Sequence, residues 1–429
     1  MTQADLLIHG GEILDPESGE TRRADLLIKG GVIAEIGVGL SAGDTPTLDA
    51  TGKLISPGWM DMHVHFREPG QEHKETILTG CAAAAFGGFT AVACMPNTIP
   101  PIHTRDVVEF IIKRSSETAV NVYPIAAVSM DRAGKKLTEM ADLADGGAVA
   151  FSDDGTPVSD GGLMRTALEY SSMLGLPVVN HMEDLTLNPH GHMNEGAVST
   201  RLGLPGIPGL AEEVMIARDI LIAEATGGHV HVAHISTGRA VELVRDGKAR
   251  GINVTSEVCA HHFALTDEDL GASHYDTNYK MHPPLRTAAD VSAMKEGLRD
   301  GTIDAICTDH APHASFEKEV EFTAAPFGIL GLETAWGLTG RELVVPGILS
   351  VAEAVRKVTV EPRRIMAIEQ PSIQVGAKAN VTVFDATTEW TFEARHIKSK
   401  SRNTPFVGAR MVGKAWAIYN NGRLVENEA

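Results

Sequence analysis

Eight short apolar segments, each followed by a stretch of helix length, restrict the fold of this chain more than any other feature. They cover 59–65, 89–95, 121–127, 148–152, 177–181, 229–234, 252–257 and 303–308. Segments this short, almost continuously apolar, read as strands buried on both faces. Amphipathic or Ala-rich stretches fill the gaps, at 75–86, 105–116, 162–174, 211–225 and 238–249. Eight buried strands with helical crossovers predict a parallel (β/α)8 TIM-type barrel over residues 57–369. Periodicity alone leaves an open doubly wound sheet as the alternative.

The two ends have another texture. ADLLIHGGEILD and ADLLIKGGVIAEIG near the N-terminus are close copies, each an apolar run, a Gly-Gly pair and a second apolar run, and both predict hairpins. Short strands return in ANVTVFD (379–385) and in AWAIYNNGRLV (415–425), where Asn-Asn-Gly suits a tight turn. Residues 1–56 and 370–429 are therefore expected to form one small composite β domain built from both chain termini.

Polar residues decide between barrel and open sheet. A barrel carries its chemistry at the C-terminal strand ends, and here those ends are rich in metal ligands. The first candidate strand ends in His63-Val64-His65 and the fourth leads into Asp153-Asp154; the fifth, sixth and eighth end in or lead into His181, His234 and Asp309. The chain holds 18 histidines, so their concentration at these ends favours the barrel and a metal site together. His63 and His65 are two apart, which in a strand puts both on one face.

Two dications held roughly 3.5–4 Å apart share a hydroxide, and binding lowers the pKa of water from about 15.7 to about 7. Their repulsion calls for an anionic bridge. No lysine that carbamylation could make into one stands near the end of the fourth strand, whereas Asp153 and Asp154 do. Asp309 can contact metal and water, serving as catalytic general base and then as general acid toward a departing amide nitrogen. Arg67, Asn97 and His313 lie beyond strand ends and suit a carboxylate-bearing substrate, Arg67 through a bidentate contact.

Charge and cysteine usage exclude other classes. A net charge of −19 repels polyphosphate, so no nucleic-acid partner is expected. No run of 18 apolar residues occurs, so no membrane span is expected. Cys81, Cys94, Cys259 and Cys307 are far apart and form no CxxC pair, which predicts reduced thiols in a cytoplasmic protein.

The motifs DMHVHFREPG (61–70), GGFTAVACMPNT (87–98), FSDDG (151–155), NHMED (180–184), VAHIST (232–237), CTDHAPH (307–313) and PFGILGLET (326–334) resemble the dihydroorotases of the amidohydrolase superfamily. The likeness is to the longer bacterial type, which joins a barrel to a composite β domain, and runs from near residue 4 to near residue 425. It implies reversible cyclisation of N-carbamoyl-L-aspartate to L-dihydroorotate in de novo pyrimidine biosynthesis, by a binuclear metal-bound hydroxide with two Zn2+ per subunit. Carried over by position, His63, His65, Asp154 and Asp309 hold one ion and Asp154, His181 and His234 the other, with Asp309 as acid/base. Asp154 is preferred to Asp153 because it stands 27 residues before His181, the spacing of the family's bridging aspartate.

The same resemblance places His65, Arg67, Asn97, His282, His313, Phe327 and Gly328 against the substrate. The family usually reads KMNPPLR where this chain has KMHPPLR (280–286), so His282 replaces an asparagine that touches the ring. A histidine lacks the paired donor and acceptor of a carboxamide. The alternatives are an allantoinase- or hydantoinase-like cyclic amidohydrolase, and a non-catalytic scaffold of aspartate transcarbamoylase. Arg67 speaks against the first and the full ligand set against the second. A homodimer is the base-rate expectation, and association with aspartate transcarbamoylase is a second expected contact.

Overall fold

The computed structural model describes residues 5–187 and 190–427. Its eight-stranded parallel sheet follows sequence order: Trp59–Val64, Phe89–Cys94, Asn121–Ala127, Ala150–Ser152, Val178–Asn180, Val230–Val232, Val254–Cys259 and Ala305–Cys307. The last strand returns to the first through a parallel bridge between Val64 and His310, and His65 N donates to His310 O at 2.9 Å. That contact closes the barrel. Met60, Met62, Ala91, Ala93, Ala150, Val179, Ala233, Cys259 and Cys307 belong to the small cluster that fills its interior. Val64, Val92, Val178, Val230 and Val258 pack instead in the larger layer shared with the surrounding helices.

The helices fall where the period of apolar residues places them, including Ile77–Gly87, Arg105–Ser115, Gly161–Leu174, Gly209–Thr226 and Gly238–Ala249. Local chemistry sets their ends. Thr76 caps Ile77–Gly87 by accepting from Thr79 N at 3.1 Å, and Gly88 ends it at φ 93°. Asp160 and Thr237 cap the helices that follow them in the same way, through Leu163 N and Ala240 N.

Besides a two-stranded pair of Met193–Asn194 with Gly206–Ile207, two sheets lie outside the barrel, one from the N-terminal segment and one from both termini. One holds, in order, Val32–Gly37, Asp25–Lys29, Leu6–His9 and Thr47–Asp49. The other holds Arg423–Glu426, Arg410–Asn420, Val381–Thr391, Leu54–Pro57, Glu12–Leu14 and Thr21–Arg23. Leu6, Ile8, Leu26, Ile28, Ile55, Val381, Val383 and Ala417 share a core between them. The boundaries at 57 and 370 stay a proposal, since Gly58 alone separates strand Leu54–Pro57 from the first barrel strand.

One of the two expected N-terminal hairpins does not form. Asp25–Lys29 and Val32–Gly37 do pair antiparallel, across Gly30 and Gly31, both at positive φ. Leu6–His9 and Glu12–Leu14 instead lie in different sheets. A two-residue type I′ turn needs positive φ at both central residues, and of Gly10 and Gly11 only Gly10 has it, at 78°. Gly11 is needed for a close approach: a Cβ there would stand 2.8 Å from Ile55 Cδ1. Asp25 Oδ1 accepts from Gly10 N at 2.9 Å, fixing the crossing.

Trp59 ties the two bodies together. It is fully buried, its Nε1 donates to Ser56 Oγ at 2.9 Å, and its ring lies 4.5 Å from Trp336 and 5.1 Å from Phe384 of the C-terminal strand. Truncating a buried aromatic costs about 3–5 kcal/mol, so Trp59→Ala is expected to move the urea unfolding midpoint by that equivalent. A shift worth less than about 1 kcal/mol would show that the junction draws its stability from elsewhere.

Candidate metal centre

The first barrel strand carries an irregularity that aims its histidines. Asp61 pairs with Val92 and Val64 with Cys94, so one extra residue stands between the two pairs. Met60 and Met62 face the interior, and this bulge shifts the phase so that Val64 faces the helices while His63 and His65 turn inward. The Asp61 carboxylate holds the bulge: Oδ1 accepts from His63 N at 3.1 Å and Thr308 N at 3.2 Å, and Oδ2 from Thr308 Oγ1 at 2.5 Å. Burial pushes Asp61 up to about 7 in spite of these donors.

Asp154 stands at the middle of the site. Its Oδ2 lies 3.5 Å from His63 Nε2 and 3.4 Å from His65 Nε2, while Asp309 Oδ1 lies 3.6 and 2.9 Å from the same nitrogens. Its Oδ1 lies 3.6 Å from His181 Nδ1 and 3.4 Å from His234 Nε2, which are 3.0 Å apart. Each carboxylate oxygen therefore serves its own set. Donors about 2.0–2.1 Å from one tetrahedral ion lie about 3.4 Å from each other, which matches these spacings. His63 Nε2 and Asp154 Oδ1 are buried with no hydrogen-bond partner among the described residues, as atoms kept for a metal would be.

Asp153 is turned away, with Oδ1 and Oδ2 accepting from Ser129 N at 3.0 Å and Ser129 Oγ at 2.5 Å. The buried Glu257 and the half-buried Asn97 orient the first pair. His63 Nδ1 donates to Glu257 Oε1 at 2.6 Å and His65 Nδ1 to Asn97 Oδ1 at 2.7 Å, so both Nε2 atoms face inward. Burial disfavours charge on His63, yet Asp154 and Glu257 hold it well above its ordinary value. Burial also opposes ionisation of Asp154, and the imidazoles of His63, His181 and His234 hold it well below the usual carboxylate range. His234 and Asp309 adopt φ of 34° and 45°, and Arg67 one of 62°, strained values of the kind that gather at functional sites.

A cavity of about 310 Å³ opens over these groups, lined by His65, Arg67, Asn97, Asp154, His181, His234, His282, Asp309, His313, Phe327 and Gly328. Arg67 Nε donates to Pro312 O at 3.2 Å. His313 Nε2 donates to Phe327 O at 2.9 Å, and burial, followed by the charges of Arg67, Lys74 and Lys318, pushes this imidazole down to about 2. His282 stacks on Phe327 at 4.8 Å and donates to Glu183 Oε1 at 3.1 Å. His190 and His192 are not among the lining residues. A larger cleft of about 440 Å³ between Arg22, Pro57, Val360 and Pro371 brings together no histidine or cysteine.

Sequence reasoning missed Glu257 and Glu183. Glu257 ends the seventh candidate strand and is itself a potential ligand at a strand end, so the signal that found the histidines could have found it. Glu183 follows His181 by two and had no comparable cue.

Residues 52–240 match the family described as dihydro-orotase-like. The sequence is 52% identical over 420 residues to the dihydroorotase of Pelotomaculum thermopropionicum, covering 98% of each chain. It is 49% identical over 426 residues to that of Syntrophus aciditrophicus, covering 99% of each. The chain belongs to the dihydroorotase family. Solved structures of two other enzymes share the fold: L-hydantoinase (dihydropyrimidinase) from Arthrobacter aurescens, at TM-score 0.86, 24% identity and coverage of 99% of this chain and 97% of that one. Dihydropyrimidinase from Brevibacillus agri NCHU1002 matches at TM-score 0.85, 22% identity and coverage of 99% and 95%.

The two neighbouring aspartates give this family member a sharp test. Asp154→Asn is expected to lose bound metal by elemental analysis, while Asp153→Asn retains it; the reverse result would reassign the bridge. Glu257→Gln is expected to weaken metal affinity about 10–100-fold in chelator competition, the usual effect of losing a carboxylate behind a ligating histidine.

Proposed function

We propose that this chain catalyses the reversible opening of L-dihydroorotate to N-carbamoyl-L-aspartate, a step of pyrimidine biosynthesis, with two zinc ions per subunit. The observation that carries the reading is Arg67, a buried guanidinium in the same cavity as Asp309 and the imidazoles. An uncharged ring has no group for it to pair with, whereas the ring carboxylate of dihydroorotate does. This favours dihydroorotase over a hydantoinase-type activity. Membership of the dihydroorotase family agrees with it.

His63, His65, Asp154 and Asp309 would hold one ion, and Asp154, His181 and His234 the other; their mix of imidazole and carboxylate donors suits zinc. Bound dications there would polarise the ring carbonyl and make water at the site more acidic. Burial opposes charge on Asp309, and the His65 hydrogen bond, followed by the His63, His65 and His234 imidazoles, keeps it ionised and able to accept a proton. Asp309 takes the proton from the attacking water as a C–O bond forms at the ring carbonyl. The same proton then passes to the ring nitrogen as its bond to that carbon breaks, releasing the ureido group. Arg67 orients the substrate carboxylate, His313 forms the wall beside it with its one proton given to Phe327 O, Asn97 lies against the ring while holding His65, and backbone groups at Phe327-Gly328 complete the wall.

Among the described residues no helix is long and apolar enough to cross a membrane. The four cysteines are free and buried, in keeping with a cytoplasmic location as part of this reading. Pairing of two copies, on the base rate for such enzymes, and association with aspartate transcarbamoylase, on the family resemblance, belong to it as well. Sedimentation velocity alone and with the transcarbamoylase tests both.

Purified protein is expected to bleach the ultraviolet absorbance of dihydroorotate, to lose that activity to a chelator and to regain it with zinc. Absence of turnover with the metal sites filled would leave the scaffold reading standing. Arg67→Gln is expected to raise KM for dihydroorotate about 100-fold, the scale of a lost charge-assisted bidentate contact. His282→Asn is expected to change kcat/KM by less than about 10-fold, because Glu183 and Phe327 already fix this side chain; a large gain would mean that the native cavity is shaped for another ring.

A further inference from the structure

Asn403 lies in the C-terminal part of the chain, between strands Val381–Thr391 and Arg410–Asn420, yet its side chain works at the cavity wall. Its Nδ2 donates to Ala311 O at 3.0 Å and to Gly328 O at 3.1 Å, and its Oδ1 accepts from His313 N at 3.0 Å. Both amide hydrogens are used, and the side chain is almost fully buried. One carboxamide thus adds a third link between two pieces of wall already joined by His313 Nε2 to Phe327 O and by Ala311 N to Ile329 O at 2.8 Å: the loop after the eighth barrel strand, which carries Asp309 and His313, and the turn at Phe327-Gly328.

Those two pieces are packed as closely as backbone allows. Gly328 has φ 150°, and a Cβ there would stand 2.6 Å from Ala311 O and 2.7 Å from His313 Cδ2. The turn is also held by Lys318, whose Nζ donates to Pro326 O at 3.0 Å and, at 3.2 Å, to the Gly328 O that Asn403 shares. The segment bearing Asn403 is anchored without it. Glu333 Oε1 accepts from Lys398 N and Ser399 N, Glu75 Oε1 from Lys400 N, and Lys74 O from Ser401 Oγ at 2.7 Å. Loss of the Asn403 amide therefore leaves the segment docked.

We propose that Asn403 is a positioning residue for the substrate, setting the gap between His313 and Phe327-Gly328 from outside the barrel. The inference rests on the reading above that those residues face the substrate. Asn403 touches none of the groups that aim the metal-facing side chains, which are held by Asp61, Glu257 and Asn97. Its effect falls on binding.

The test uses the full-length, zinc-loaded enzyme. Asn403→Asp keeps the shape but sets a carboxylate oxygen against the carbonyls of Ala311 and Gly328, and Asn403→Ala removes the bridge. Ser401→Ala loosens the same segment away from the cavity and serves as control. Both Asn403 variants are expected to raise KM, and the calorimetric Kd for orotate, about 10-fold or more, with kcat within about threefold of wild type, the signature of lost uniform binding. Metal content is expected to stay as in wild type, and Ser401→Ala to leave KM and Kd unchanged. Unchanged KM and Kd in the Asn403 variants would overturn the proposal, as would an equal rise in Ser401→Ala or loss of metal from the Asn403 variants. Wild-type turnover of dihydroorotate against uncharged dihydrouracil judges the substrate reading separately; KM is measured on whichever ring the wild type opens, and the orotate Kd needs no turnover.

Discussion

The buried carboxylate of Asp61 is the contact on which barrel and site both depend. It accepts from the backbone of the first strand at His63 and from backbone and hydroxyl of the last at Thr308. A carboxylate with no exposed surface is costly unless it is hydrogen-bonded, so these three donors and the geometry they impose come as a unit. The same bonds pin the bulge that turns His63 and His65 inward, and lie one residue before Asp309. Closing the ring and aiming the two histidines are one act.

The site built on this closure balances charge locally. Imidazoles from three strand ends converge on Asp154, and acids stand behind them: Glu257 behind His63, Glu183 beside His181 and His282. Glu257 also lies 3.6 Å from His231, which bonds Thr255, so the buried histidine of the sixth strand belongs to the same scaffold. The chain carries −19 overall, a field that repels an anionic substrate at long range. Attraction has to be generated inside the cavity, where Arg67 is shielded from solvent and bulk screening is weak.

Much of this was legible beforehand because it is local. The eight apolar segments became the eight barrel strands, matching within two residues at each end with the seventh running on to Cys259, and the five helical stretches became helices, three of them capped by a side chain at the N-terminal boundary. His63, His65, Asp154, His181, His234 and Asp309 meet because each lies at or just beyond the C-terminal end of a strand whose direction the parallel sheet dictates. The first Gly-Gly pair misled because the local sequence is nearly alike in the two copies; at Gly11 the Ile55 side chain crowds the place of a Cβ. Asn97 was expected at the substrate and lines the cavity, but its additional bond to His65 Nδ1 had no signature in the motif.

The sequence by itself determined the alternation of strand and helix, the chemistry available at the strand ends and the family, since these depend on side-chain period and on residues adjacent in the chain. Tertiary structure alone decided which face of the first strand carries His63, what turns Asp153 away from the imidazoles, and that Asn403 reaches the cavity wall. Each depends on a contact between residues far apart in the chain: Asp61 with Thr308, Asp153 with Ser129, Asn403 with Gly328. A carboxylate or amide can satisfy its hydrogen bonds in many places, and only the packed fold selects one.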